Sequence, residues 1–413
     1  MRILLIHQYF LEKDDPGGSR FNEMTHQWAE MGHEIVVICG MLNYVTGKIP
    51  HMYKNKRFHI SHYEQNLKVH RVFVSPGYNR NFMGRLWAYF SFVWYGIRAG
   101  LKEKERFDCI VASSPPLFVG IIAMFLSWSK KVKFLFEVRD LWPESAIETG
   151  VVRNGLIIRM SYWLEKRIYR KATLINVLTP AFKEILIRKK GLTKEKLVLI
   201  PNASDFESAD NAMRSELTID IRKKLRGEAR LLLIYIGAHG IANKLDQLID
   251  AALILIKDKV EFVLIGDGME KHRLIAYAKE RGASNVRFFD PVPKSEVYSY
   301  ILMADIGISV LKKTDTFKTV YSNKTFDYMA CKKPVIMAID GVSRELVEKA
   351  KCGLYAEPEN PVDIAEKIRV YLNNSELIKE HGKNGYNYAK INFDRTVLSK
   401  KYIQRIERVK RGV

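Results

Sequence analysis

"LLLIYIGAHG" (residues 231–240) joins an apolar run, Leu231–Ile236, to a loop that contains two glycines. A short apolar run bounded by glycine is typical of a buried strand in a parallel sheet. The run follows a polar, charged segment from Pro201 to Gly227, which interrupts the pattern of the first half of the chain. We therefore predict that a second domain with its own sheet begins here.

Short apolar runs alternate with helical stretches on both sides of this segment. The predicted strands of the first half are Ile3–Ile6, Glu34–Cys39, Val69–Val74, Cys109–Ala112, Lys133–Glu137, Leu174–Val177 and Leu197–Ile200. Those of the second half are Leu231–Ile236, Glu261–Ile265, Val286–Phe289, Ile306–Val310 and Pro334–Met337. The pattern predicts an α/β protein with two Rossmann-like, doubly wound domains that face a central cleft. We expect an N-terminal domain at 1–203, a C-terminal domain at 204–384, and a last helix at 385–413 whose position would let it cross back to the first domain.

The formal charge of the 413-residue chain is +21, which indicates an anionic partner. Nucleic acid, an acidic membrane leaflet and phosphorylated substrates all fit that charge. The sequence has no zinc-finger spacing, no RNA-binding aromatic signature and no long basic tail, so we expect no nucleic-acid partner. The four cysteines are scattered and predict reduced thiols. The sequence opens without a secretory signal pattern, which predicts a cytoplasmic protein.

Aromatic and basic residues are mixed between Asn79 and Lys104. This composition suits a helix that lies in a membrane interface, and it equally suits a buried helix of the first domain. Both interpretations stay open at this point. The apolar segment from Pro116 to Trp128 is too short to cross a bilayer, so we predict a core helix there.

A glycine-rich loop, "DPGGSR" (15–20), lies between the first predicted strand and the first predicted helix. Gly17 and Gly18 would let backbone amides approach a phosphate at the helix start, and Arg20 would lie on the acceptor side. The spacing differs from the dinucleotide G-x-G-x-x-G pattern, which argues against NAD. A plain turn is the alternative.

Three acids and an arginine follow a buried strand in "FEVRDLWPE" (136–144). Strand ends of this kind border the ligand crevice of an α/β sheet, so Glu137, Arg139 and Asp140 are candidate catalytic residues. Glu144 is a candidate for the acceptor side. The alternative is a salt-bridged surface turn.

The second half carries three further segments with the chemistry of a diphosphate site. Gly237, His239 and Gly240 precede Lys244 and a helix, and Gly266, Asp267 and Gly268 form another turn at a strand end. "YSNKTFDYMACKKPVI" (321–336) places Lys324 and Asp327 on one face of a helix. The lysine would neutralise a phosphate and the aspartate would accept hydrogen bonds from ribose hydroxyls, although a structural salt bridge is the alternative.

Together these segments resemble glycosyltransferase family 4, whose members have the GT-B fold. "TFDYMACKKPVI" is similar to the end of that family's E-x7-E region, and "LIPNAS", "YIGAHG", "LIGDG" and "VPKSEV" fall in the family's order. The N-terminal segments "HQYFLEKDDPGGSRFNEM" and "EVRDLWPESAIETG" resemble the branch that builds O-antigens and capsules and includes N-acetyl-fucosaminyl transferases.

The resemblance implies roles for residues at matching positions. Asp327 falls where a family glutamate holds the ribose, and Val292 falls in the segment whose backbone pairs with the base. Thr319, Ala238 and Asn243 replace usual contact residues, which leaves Lys244 and Lys324 as the cations, and Arg139 replaces the usual histidine. The predicted donor site comprises Gly17, Gly18, Gly237, His239, Gly240, Lys244, Gly266, Asp267, Gly268, Val292, Ser322, Asn323, Lys324, Thr325 and Asp327.

The implied activity is retaining transfer of a sugar from a UDP-sugar donor to a polyprenyl-diphosphate-linked saccharide acceptor. Lys324 would stabilise the leaving diphosphate, so it also counts among the catalytic candidates. No D-x-D pair is evident, and we expect no metal and no cofactor. We place the enzyme at the inner surface of the cytoplasmic membrane. A UDP-sugar 2-epimerase of the same fold and a non-catalytic basic protein that binds membrane or nucleic acid are the alternatives.

Overall fold

The chain was analysed as a computed structural model, which describes residues 1–12, 20–43, 48–79, 82–148, 152–217, 221 and 229–411. Gly17 and Gly18 lie outside the described residues. The chain forms two compact units. The first contains the described residues up to Pro201 together with 396–411, and the second contains Asn202–Arg395.

The first unit is built on an eight-stranded sheet with the order β3-β4-β2-β1-β5-β6-β7-β8. The strands are β1 (Arg2–Ile6), β2 (Glu34–Gly40), β3 (Phe58–Glu64), β4 (Leu67–Val72), β5 (Cys109–Ser114), β6 (Phe134–Val138), β7 (Leu174–Val177) and β8 (Leu197–Leu199). All neighbours pair in parallel except the edge strand β3, which is antiparallel to β4. The sequence prediction missed β3 because its side chains are half-buried or exposed and show no apolar run.

Helices cover this sheet. They are α1 (Arg20–Glu30), α2 (Phe82–Lys102), α3 (Val119–Lys130), α4 (Glu144–Glu148), α5 (Gly155–Lys171) and α6 (Pro180–Arg188). β1 leads through α1 to β2 on one side, whereas β5 leads through α3 to β6 on the other. The direction of winding therefore changes between β1 and β5, and ligands of α/β sheets bind at such a switch point.

The second unit has a six-stranded, all-parallel sheet with the order β11-β10-β9-β12-β13-β14. The strands are β9 (Leu231–Ile236), β10 (Val260–Ile265), β11 (Val286–Phe289), β12 (Ile306–Val310), β13 (Val335–Ala338) and β14 (Gly353–Tyr355). The helices are α7 (Phe206–Ala212), α8 (Asp246–Ile254), α9 (Lys271–Glu280), α10 (Val297–Met303), α11 (Asn323–Ala330), α12 (Val342–Ala350), α13 (Pro361–Asn373) and α14 (Ser375–Asn392). Here the winding changes between β9 and β12.

The end of the chain differs from the single helix predicted from residue 385. It forms two helices, α14 in the second unit and α15 (Arg395–Arg411), which belongs to the first unit from Thr396 onward. Trp28 donates to the Ser399 carbonyl, and Tyr402 packs on the rings of Phe21 and Trp28. The last helix thus completes the core of the first unit.

The two segments where the chain passes between the units are paired with each other. Ser204 forms a parallel bridge with Asp394, and its amide donates to the Phe393 carbonyl over 3.0 Å. The second unit is therefore an insertion whose two ends meet.

Among the described residues, no helix is long and apolar enough to cross a membrane. All four cysteines are buried free thiols.

Candidate active site

Lys324 occupies the switch point of the second unit. It lies in the first turn of α11, and its Nζ is 4.8 Å from the centroid of the Tyr235 ring, which supplies a cation–π contact. It makes no direct ion pair or hydrogen bond with the described residues. Burial lowers its pKa to about 8, and Asp327 offsets part of that shift. A desolvated ammonium held without a partner is suited to bind an anion.

Glycine at position 237 makes room for this lysine. Gly237 has a φ of 149°, and a Cβ built there would lie 2.4 Å from Cε and 2.9 Å from Nζ of Lys324. Any side chain at this position would displace the ammonium group or strain the backbone. The turn and the lysine therefore form one structural feature.

The glycine turns after β9 and β10 pack backbone against backbone. The Gly237 amide donates to the Ile265 carbonyl over 2.9 Å, and the His239 amide donates to the Asp267 carbonyl over 2.8 Å. A Cβ on Gly266 would lie 1.9 Å from the Gly237 carbonyl oxygen. The structure therefore brings together four predicted donor-site residues, Gly237, His239, Gly266 and Gly268, beside Lys324.

His239 is fully buried at this junction. Neither ring nitrogen has a hydrogen-bond partner among the described residues. Burial, together with the charge of Lys271, lowers its pKa to about 4, so the imidazole is neutral near pH 7.

A small cavity of about 110 Å³ borders the same loop. It is lined by Gly240, Ile241, Lys244, Leu245, Asp246, Glu270, Arg273, Leu274 and Lys312. Arg273 pairs with both acids of the cavity, over 2.6 Å to Asp246 and 2.7 Å to Glu270. The lysines then give the wall a positive surplus that favours an anion.

Asp327 lies one helical turn after Lys324 and is already oriented by two hydroxyl groups. The Ser204 hydroxyl donates to its Oδ1 over 2.7 Å, and the Tyr298 hydroxyl over 3.3 Å. Only one carboxylate oxygen is engaged in these bonds, so the Asp327 side chain retains capacity to accept a ligand hydroxyl.

The other predicted donor residues have ordinary local roles. The hydroxyls of Ser322 and Thr325 both contact the Ser309 hydroxyl, and Asn323 accepts from Asn202 over 2.6 Å. Asp267 is exposed. Val292 follows β11 and packs against the core of the second unit.

In the first unit, Arg20 and Glu137 form a buried ion pair. The two Arg20–Glu137 bonds are 3.2 Å long, and Arg20 also donates to the carbonyls of Ile200 and Pro201. Asn176 donates to the same carboxylate over 2.9 Å. Glu137 is 0% exposed, so its charge is satisfied inside the core. The two residues therefore hold each other in the core, and the catalytic role of Glu137 and the acceptor-side role of Arg20 stay predictions.

Asp140 lies at the carboxyl end of β6, where the Ser145 hydroxyl donates to its Oδ2 over 2.9 Å. Burial raises the pKa of Asp140. Arg139 is half-buried beside it. Glu144 pairs with Lys190 over 2.5 Å, and Lys190 also binds Glu165. Glu144 is therefore part of an ion-pair network, and its acceptor-side role stays a prediction.

Two residues that the sequence analysis did not select lie at the switch point of the first unit. His7 and Gln8 follow β1 directly and are 3% and 1% exposed. The His7 ring bonds to the Ser113 backbone, whereas His7 Nδ1 and both amide atoms of Gln8 have no partner among the described residues. Burial lowers the His7 pKa to about 3, with a contribution from Arg139. The signal was present in the sequence, since two polar residues follow a buried strand.

Among the described residues, no group of three His, Cys, Asp or Glu side chains is placed to hold a metal ion.

Two family models match the chain along most of its length. The Glycosyl transferase 4-like domain matches residues 17–203, and Glycosyl transferases group 1 matches residues 218–388. The chain belongs to glycosyltransferase family 4. The glycosyltransferase thus carries both domain types of that family, one in each unit.

Curated relatives of this glycosyltransferase share moderate identity. An uncharacterized glycosyltransferase from Methanocaldococcus jannaschii is 33% identical over 38% of this chain and 42% of its own length. An Escherichia coli (strain K12) glycosyl transferase, assigned by name to colanic acid biosynthesis, is 22% identical over 94% of this chain and 95% of that protein. A third relative is the N,N'-diacetylbacillosaminyl-diphospho-undecaprenol alpha-1,3-N-acetylgalactosaminyltransferase of Campylobacter jejuni. It is 23% identical over 71% of this chain and 75% of its own length. The chain spans only 42% and 66% of the length of two such relatives.

Solved structures establish the GT-B fold of the glycosyltransferase. Sucrose-phosphate synthase from Thermosynechococcus elongatus has a TM-score of 0.75 at 16% identity, with full coverage of both chains. Anabaena HepE in complex with UDP-glucose has a TM-score of 0.72 at 16% identity, covering 98% of this chain and 99% of that one.

Proposed function

We propose that this glycosyltransferase moves a sugar from a UDP-sugar to a hydroxyl group of a polyprenyl-diphosphate-linked saccharide during O-antigen or capsule biosynthesis. We propose that the transferred sugar is an N-acetylated amino sugar such as N-acetyl-fucosamine. The UDP-glucose complex of HepE and the undecaprenol in the name of the Campylobacter relative support the two substrate classes.

The observation that carries the proposal is the ammonium group of Lys324 at the switch point of the second unit, which makes no ion pair or hydrogen bond with the described residues. A diphosphate would supply a counter-ion. The glycines at positions 237 and 266 let the Lys324 side chain and the two loop backbones pack closely at this point, which places the ammonium group beside the strand ends. Asp327, oriented by Ser204 and Tyr298, would accept from the ribose hydroxyls.

The proposed reaction breaks the bond between the anomeric carbon and the diphosphate oxygen, and that oxygen keeps the electron pair. The acceptor oxygen forms the new bond on the same face of the sugar, and the acceptor hydroxyl releases its proton. Lys324 stabilises the negative charge as it develops on the departing diphosphate, a task that a preorganised cation performs well in a desolvated site. The mechanism assigns this charge neutralisation to side chains and needs no metal.

The proposed acceptor side is the carboxyl edge of the first sheet. Asp140 would accept a hydrogen bond from the reacting hydroxyl or take up its proton, because its second oxygen is not used by Ser145. The neutral groups of His7 and Gln8 would bind further acceptor hydroxyls.

Binding followed by transfer tests the proposal. Purified full-length protein is screened for thermal stabilisation by UDP-, GDP- and dTDP-sugars, since a ligand of the folded state raises its stability. We expect UDP-sugars to stabilise most, and mass spectrometry to show the acceptor heavier by one sugar. NMR of the anomeric proton checks retention, and EDTA should leave the rate unchanged. Two outcomes would contradict the proposal. The donor could be converted to its epimer with no increase in the mass of the acceptor, or it could bind without any turnover on polyprenyl-linked acceptors.

A polyprenyl carrier keeps the acceptor in a bilayer, so we propose that the enzyme works at the inner surface of the cytoplasmic membrane. The high positive charge of the chain suits the anionic lipids of that surface.

A further inference from the structure

The first unit exposes an unusual number of tryptophans. The chain has six, and four of them are more than half exposed: Trp87 at 65%, Trp94 at 61%, Trp128 at 76% and Trp163 at 58%. All four lie on α2, α3 and α5. Contiguous apolar patches are rare on the surfaces of soluble monomers and mark interaction sites. These exposed tryptophans therefore indicate an interaction surface.

The helices α2, α3 and α5 pack closely against each other at glycines and form one layer. A Cβ on Gly96 of α2 would lie 2.7 Å from Ile122 Cδ1 of α3, and one on Gly100 would lie 2.4 Å from Leu126 Cδ1. A Cβ on Gly120 of α3 would lie 2.3 Å from Ile168 Cδ1 of α5. Such close approach fixes α3 between α2 and α5.

The outer side of this layer is apolar along all three helices, and we call it the three-helix face. Each helix buries its other side; α2, for example, buries Ala88, Phe92 and Ala99. The exposed apolar residues recur at helical spacing. They are Met83, Trp87, Phe90, Trp94 and Leu101 on α2, Phe125 and Trp128 on α3, and Leu156, Met160 and Trp163 on α5. The expected core helix at 116–128 therefore buries one side only.

The same helices are strongly basic. They contain nine Lys or Arg residues, namely Arg85, Arg98, Lys102, Lys130, Arg159, Lys166, Arg167, Arg170 and Lys171, against the single acid Glu165. Glu165 is buried and bound to Lys190, so it adds no acid to the surface. Arg98 lies 5.9 Å from the Trp94 ring and Arg167 lies 5.0 Å from the Trp163 ring. Guanidinium groups next to exposed indoles are suited to lipid phosphates at the level where indole rings partition.

We propose that the three-helix face docks the first unit on an anionic lipid bilayer, with Trp128 and Trp163 in the interface and the basic residues on lipid headgroups. A second copy of the chain fits poorly, because two such faces would bring basic surfaces together. The role of docking in delivering a lipid-linked acceptor rests on the proposed function, whereas the docking itself does not. On this proposal, one side of α2 is buried in the first unit and the opposite side lies in the membrane interface, so the two sequence interpretations apply to different sides of the same helix.

Vesicle flotation of the full chain tests this surface. Phosphatidylcholine vesicles are compared with vesicles that contain about a third phosphatidylglycerol. We expect flotation only with the anionic vesicles and less of it at high salt, because exposed charges are screened. A variant with Trp128→Ser and Trp163→Ser should lose about tenfold or more in vesicle affinity.

The matched control is Ile391→Ser, which removes a 77% exposed apolar side chain from α14 of the second unit. It should float like the unaltered protein. A cooperative thermal unfolding transition, followed by circular dichroism for all proteins, verifies that each variant is folded, and UDP-induced stabilisation is measured separately.

Equal flotation of the tryptophan variant and the control would overturn the proposal. A concentration-dependent dimer that the variant abolishes, or binding to nucleic acid in place of vesicles, would overturn it as well. If vesicles bind as expected while UDP binds to no form of the protein, the proposed function fails and the docking surface stands.

Discussion

The switch points of the two units have the same topology and opposite chemistry. In the second unit, Lys324 lies at the strand ends among glycine turns and makes no direct ion pair with the described residues. In the first unit, Arg20 and Glu137 neutralise each other inside the core. His7 and Gln8 lie there with buried polar atoms that have no partner among the described residues, and both side chains are neutral near pH 7.

The difference indicates which ligand each unit can take. A desolvated cation binds an anion strongly, whereas a neutral imidazole and an amide suit uncharged hydroxyl groups. This contrast supports the proposal that the second unit binds the diphosphate of the donor and the first unit binds the acceptor sugar. Four experiments test this contrast between the two switch points, and they are given from the largest expected effect to the smallest.

The largest expected effect is on the stability of the first unit. Arg20→Ala should destabilise the protein by about 3–5 kcal/mol, because it leaves Glu137 charged and unpaired in the core. Urea denaturation measures the loss. The double variant Arg20→Met with Glu137→Leu should recover most of it, and UDP affinity of the folded fraction should stay the same. Weaker UDP binding with unchanged stability would place Arg20 in the donor site.

Lys324→Met should have the opposite effects to Arg20→Ala: it should weaken UDP binding and leave the stability of the protein almost unchanged. Loss of a charged hydrogen bond worth about 1.5–3 kcal/mol should weaken UDP binding about 10- to 100-fold, with little loss of stability. Calorimetry measures the affinity. Lys332→Met is the matched control, because Lys332 Nζ also lies 4.8 Å from a tyrosine ring, that of Tyr386. Equal UDP affinity in the two variants would remove Lys324 from the site.

The pH dependence of UDP binding should reveal the same lysine. Affinity should fall as pH rises through about 8, because only the protonated ammonium attracts phosphate. Stability should change in the opposite direction between about 8 and the ordinary lysine value of 10.5, where the unfolded chain binds more protons. Both slopes should be missing in Lys324→Met. A slope that persists in that variant would have to come from another group.

The smallest effects concern the acceptor. His7→Phe or Gln8→Leu should raise the acceptor KM about three- to tenfold, since each removes a neutral hydrogen bond worth about 1 kcal/mol. UDP affinity should not change. Stability should hold or rise slightly in Gln8→Leu, because an unpaired buried polar group is removed, whereas His7→Phe also loses the bond of the ring to the Ser113 backbone. An unaltered acceptor KM would assign these residues to the core alone.

Much of the fold could be predicted from sequence because its strands are continuous apolar runs. Leu231–Ile236 and Val286–Phe289 were predicted with the observed bounds. Strand β3 was missed because it is a half-exposed edge strand whose sequence lacks such a run. Prediction of apolar runs thus succeeds where both faces of a strand are covered.

The site was predictable only in part, because pairing depends on residues far apart in sequence. Arg20 and Glu137 are 117 positions apart, and each alone has the composition of a ligand contact. The need for glycine at position 237 comes from Lys324, which approaches it only in the folded chain. The exposure of one side of α3 could not be predicted either, because an apolar helix has the same sequence pattern whether one side or both sides are buried.

The insertion of the second unit affects how the chain folds during synthesis. Residues 202–395 emerge from the ribosome before Thr396–Arg411, which supply Tyr402, Ile406 and Val409 to the core of the first unit. Domains fold as units while the chain grows, so the second unit can be complete while the first still lacks its last helix. The N-terminal half of this enzyme is therefore the last part to mature.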